Sequence, residues 1–140
     1  MNAFDRTIRV LQFGFLFFGF LIVYLIFKLP SRAPAAINPT AEMVIALFAM
    51  GVLILGWSGR GLSRKLVSLG PLATPLSAWF TGNVFGLACV NACLLFGFVL
   101  HSMGARTRVV ELLIGAAMLS FLFWMPGKAP ASEPGSGMQR

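Results

Sequence analysis

Residues 80–100 read FTGNVFGLACVNACLLFGFVL, an apolar run of 21 residues that carries no charge. Thr81, Asn83 and Asn91 are its only polar interruptions. At about 1.5 Å per residue, a helix of that length reaches roughly 31 Å, the thickness of a bilayer's hydrocarbon core. Three similar runs surround it. The pattern predicts an all-α membrane protein with four transmembrane helices in two antiparallel hairpins, spanning residues 10–29, 41–57, 79–103 and 108–125.

Composition agrees. The chain is 58% hydrophobic and 11% charged over 140 residues, which gives a soluble domain of this size nowhere to bury its apolar surface. Its net charge of +7, from 11 Lys and Arg against 4 Asp and Glu, would suggest nucleic acid in a soluble protein. Here the basic residues fall at helix ends and loops, as they do when facing lipid headgroups, so no nucleic-acid partner is expected. The basic N-terminus and the apolar run to Phe27 mimic a signal peptide, with an Ala-x-Ala at Ala33–Ala35. The run is nevertheless long enough to span, and it reads as a retained first helix. Two cysteines within one helix say little about redox compartment.

Outward from the central run, local signals mark the other elements. Six of the 14 phenylalanines lie in the first span, which Pro30 stops. Asn38-Pro39 reads as a helix start, with Asn38 as cap and Glu42 near the positive end of the dipole. Gly56, Gly59 and Gly61 are expected to end the second span. Residues 60–69 then form an expected interfacial segment: Leu62, Leu66 and Leu69 share a side, with Arg60, Arg64 and Lys65 elsewhere toward headgroups. A basic loop is the competing reading. Gly70-Pro71 breaks this piece and Thr74-Pro75 restarts a helix. Residues 126–140, rich in Pro, Gly and Ser, read as a flexible tail.

The basic residues also set an orientation. Arg6, Arg9, Arg60, Arg64, Lys65, Lys128 and Arg140 fall on one side, against Lys28, Arg32, Arg106 and Arg108 on the other. Seven against four places both termini in the cytoplasm, with a bacterial cytoplasmic membrane as the setting. Trp57, Trp79 and Trp124 would form an interfacial belt on that side. A faint repeat pairs 16–20 with 94–98 and 40–57 with 107–124, readable as duplication or as chance among Leu and Phe.

On the third helix, Gly82, Gly86, Cys89, Cys93 and Gly97 fall within about 80° of one another. Such a stripe of small residues lets helices approach closely in lipid, either within the chain or between copies. The cysteines read as packing residues, because a metal site needs more than two ligands and none joins them at that depth. Asn91 falls about 180° from Gly82, where its carboxamide needs a partner helix or a polar cavity. Asn83 and Asn91 are therefore the candidate partner contacts or polar lining, with Thr81 beside them.

The run 91–100, Asn-Ala-Cys-Leu-Leu-Phe-Gly-Phe-Val-Leu, resembles the ion-carrying helix of rotary ATPase proteolipid (c-type) subunits. It is also similar to a helix of small four-span bacterial membrane proteins. The proteolipid pattern has a carboxylate where this chain has Asn91, which cannot bind and release a proton. What the resemblance implies is a packing style, small residues inward and a polar residue outward.

His101, the sole histidine, sits at the end of the third helix and reads as a hydrated interfacial residue. As a haem or pigment ligand it would need a second chain. Glu42 and Glu111 both fall in first turns, explained by dipole and solvation, by a shared cation site, or by pairing with Lys28, Arg106 or Arg108. No catalytic constellation, metal site or cofactor is expected. The leading expectation is a non-catalytic subunit or accessory component of a membrane complex, contacting anionic headgroups and other membrane subunits or itself. A small homo-oligomeric transporter or channel is the alternative.

Overall fold

The computed structural model describes residues 3–30, 37–68 and 74–127. Among them are four helices and no strand: α1 (Ala3–Lys28), α2 (Pro39–Ser68), α3 (Pro75–Ser102) and α4 (Thr107–Phe123). Three stretches are long and apolar enough to cross a bilayer, Arg6–Lys28, Pro39–Gly59 and Pro75–Ser102. The chain is thus a multi-pass membrane protein. At 17 residues, α4 is the shortest helix.

Each helix start and stop has a local cause. The Asn38 Oδ1 accepts the Thr40 N–H at 2.9 Å, and Pro39 occupies the first helical position of α2. Thr74 caps α3 in a full capping box with Ser77, again with proline next. α3 ends where Gly104, at φ 79°, turns left-handed; the Gly104 and Ala105 N–H groups return to the carbonyls of His101 and Leu100. That tight turn sends the chain back as α4.

α3 is the centre of the molecule. α2, α4 and α1 pack around it, with α4 also touching both α1 and α2. No close backbone approach joins α1 to α2 among the described residues, so α2 leans on α3 and not on its predecessor. The halves of the faint repeat therefore pack differently. Leu87, Val90, Cys93, Leu94 and Leu100 of α3 are fully buried, while Ala88, Leu95 and Val99 occupy its one open sector. Ring contacts add to this packing: Phe15 stacks on Phe121, and Phe48 meets Phe96 edge-on.

Two expectations change. Gly56, Gly59 and Gly61 do not end α2, which runs on to Ser68 as one helix through the expected interfacial segment. Gly56 and Gly59 are contact glycines, while Gly61 has open space around it. A methyl on Gly56 would stand 2.7 Å from the Cys89 Cβ, and one on Gly59 would stand 2.8 Å from the Phe85 ring. Of the three tryptophans expected in a belt, Trp57 is exposed and the other two are not. Trp79 and Trp124 are 2% exposed, the first with its indole N–H on the Pro126 carbonyl and the second packed by its ring against Trp57. The expected tail from 128 onward, and Leu69 of the amphipathic segment, lie outside the described residues.

Candidate functional site

The polar side chains of the bundle gather at its two ends. At the first end, α4 stops at Phe123 and residues 124–127 run on without helical structure. The last carbonyls of a helix have no partners of their own, and hydrocarbon offers none. Neighbouring helices supply them. Gln12 of α1 donates from Nε2 to the Phe121 carbonyl at 2.8 Å and to that of Trp124 at 3.0 Å. Trp79 of α3 donates its indole N–H to the Pro126 carbonyl at 2.9 Å. The Asn83 Nδ2 shares that acceptor at 3.3 Å and also donates to the Trp79 carbonyl at 2.9 Å.

Ser120 continues the cluster. Its hydroxyl accepts from the Trp57 indole at 3.1 Å and donates to the Ala116 carbonyl at 2.7 Å. The Trp57 and Trp124 rings meet at 5.2 Å between centroids. Four helices are thus tied at one level by Gln12, Trp57, Trp79, Asn83 and Ser120.

The second end is held by charge. Glu42, only 4% exposed, accepts the Arg106 backbone N–H at 3.4 Å and lies 3.4 Å from the Arg106 Nε. Arg106 is the residue that begins α4, so a carboxylate from α2 stands at the positive end of the α4 dipole. Nearby, the His101 Nε2 lies 3.1 Å from the Leu29 carbonyl just past α1. A carbonyl only accepts, so this nitrogen carries the hydrogen.

Between the ends runs the stripe of small residues, facing α2 and α4. A methyl at Gly86 would collide with the Trp124 ring and stand 2.9 Å from the Gly56 carbonyl oxygen. Cys89 lies against Gly56, and Gly97 faces Ile114. The Cys93 Sγ reaches the Leu113 carbonyl at 3.8 Å, a weak thiol contact. Gly82 is buried in the same face. Both thiols are free and enclosed.

The remaining expected residues are more scattered. Asn91 is half-buried where the covered side of α3 meets its open sector, and its Oδ1 has no hydrogen-bond partner among the described residues. Thr81 is exposed in that sector, about 80° from Asn91 by helical register, so Thr81, Asn83 and Asn91 do not converge. Arg60, Arg64 and Lys65 ride on the last turns of α2, with Lys65 exposed. No group of three or more His, Cys, Asp or Glu suited to a metal occurs among the described residues.

Sequence reading missed Gln12, and it offered the Glu42–Arg106 pair only as an alternative to dipole and solvation, without its place at the start of α4. The signal for Gln12 was present, as a lone amide two residues inside an apolar run. The chain matches no known family model and has no significant similarity to a curated protein or a solved structure.

Proposed function

We propose that the chain is a non-catalytic, four-span component of a larger membrane assembly, with both termini in the cytoplasm of a bacterial cell. One observation carries this reading: the interior polar groups hold helix ends. Gln12, Trp79 and Asn83 donate to backbone carbonyls in and just after the last turn of α4, and Trp57 and Ser120 bond to each other. Polar groups used this way stabilise a scaffold and do not address a substrate. The channel alternative needs Asn83 on a wet lining, yet Asn83 is 1% exposed and bonded inward.

Contacts at both ends also support α4 as the fourth span. It begins level with Glu42 in the first turn of α2 and finishes level with Gln12, Trp57 and Trp79. The surface for partner subunits is the outer side of α1. Phe13, Phe17, Phe20, Tyr24 and Phe27 share it, each between 57% and 85% exposed. Only 11% of the most apolar window of α1 is buried, against 44% for α3.

A photo-crosslinking residue at Phe17, followed by purification from native membranes, tests the proposal. The expected product is a stoichiometric adduct with a different membrane chain. Adducts with lipid alone, joined to ion conduction by the purified chain in liposomes, would overturn it.

A further inference from the structure

A groove of about 530 Å³ runs between α2 and α4, within the roughly 300–1,000 Å³ of small-molecule sites. Met43, Ala46, Leu47 and Met50 line it on α2, and Val109 and Leu112 on α4. Its polar end is formed by Thr40, Glu42 and Arg106. We propose that this groove holds one anionic phospholipid, with an acyl chain along the apolar floor and the phosphate at Arg106. The inference rests on the membrane reading and is independent of any role in a larger assembly.

Dimensions favour an acyl chain. The α2 wall extends from Pro39 to Met50, about 16 Å along a helix axis, roughly the depth of one leaflet of a 30 Å hydrocarbon core. Methionines on this wall adapt to a flexible chain. The polar end sits at the start of both helices, where a headgroup would lie.

Charge favours an anion. The Arg106 side chain is 69% exposed even though its Nε faces the Glu42 carboxylate. Glu42, itself buried, fixes the direction of the guanidinium. The two terminal amino groups have no hydrogen-bond partner among the described residues, and their fork suits phosphate oxygens. Arg108 lies one turn before Leu112 on the same side of α4, adding a second positive charge at the rim. Glu111 is turned to the far side of α4 by helical register. One buried carboxylate against two arginines and a helix N-terminus leaves the mouth positive.

Native mass spectrometry of the full chain, released from nanodiscs of equal phosphatidylglycerol and phosphatidylcholine with matched acyl chains, tests this. One retained phosphatidylglycerol per chain is expected, preferred roughly tenfold. Arg106→Gln should reduce the preference to within about twofold. Because that change leaves Glu42 without its partner and can harm folding, Ala46→Phe provides a second variant. It fills the groove, leaves the ion pair intact, and should displace the lipid. Inorganic phosphate alone should not be retained, since the chain-binding floor supplies part of the affinity. Equal retention of both lipids, retained phosphate without lipid, a preference for a cationic amphiphile, or insensitivity to Ala46→Phe would each overturn the proposal.

Discussion

Gln12, Asn83 and Asn91 are the three amides within the expected spans, and the two asparagines differ in what their amide nitrogens do. The Asn83 Nδ2 serves the Pro126 carbonyl just past α4 and the Trp79 carbonyl of its own helix, and the Oδ1 atoms of both asparagines are buried with no partner among the described residues. Interhelical hydrogen bonds in membranes contribute about 0.6–2 kcal/mol. Asn83→Leu should therefore lower stability by about 1–2 kcal/mol. Asn91→Leu should leave the isolated chain equally stable or more so, because it removes a buried acceptor left unsatisfied. Thermal unfolding in detergent, followed by circular dichroism, compares the two; a loss at Asn91 equal to that at Asn83 would contradict the assignment. The amides themselves were visible in the sequence as polar positions needing partners. Which partner each finds was not, since it depends on where α4 ends, and a terminus closed by other helices leaves no mark in its own residues.

At the scale of elements, the starts of α2 and α3 were legible because caps are local: Asn38-Pro39 and Thr74-Pro75 hold their own partners within three residues. The end of α2 was misread for the same reason in reverse. Glycine marks both a helix stop and a close contact, and only the neighbouring helix distinguishes the two uses. A substitution pair separates them. Gly56→Ala should cost about 1–3 kcal/mol, because the added methyl meets Cys89 and the Gly86 carbonyl oxygen. Gly61, inside α2 with open space around its Cβ position, should gain up to about 1 kcal/mol on replacement by alanine. Chemical denaturation in micelles measures both. Destabilisation at Gly61 would restore a helix break there.

For the whole molecule, hydropathy and length alone reveal a membrane-embedded helical chain, because the apolar surface has no other solvent. The arrangement of those helices is less legible. α3 is apolar on all sides, which is the mark of a central helix, but the preference of α2 for α3 over α1 is written in side-chain fit, that of Gly56 to Cys89 and Gly86, of Gly59 to Phe85 and of Phe48 to Phe96. The central claim is that α4, though the shortest helix, crosses the bilayer and is closed by Gln12, Trp79 and Asn83 at its far end. Cysteine accessibility in intact cells tests it directly, with single cysteines at Ser31 and Ser136 in a Cys89→Ala, Cys93→Ala background and a membrane-impermeant maleimide as the probe. Label at Ser31 with protection at Ser136 is the expected result; label at both positions would leave α4 on one side of the membrane and contradict the account.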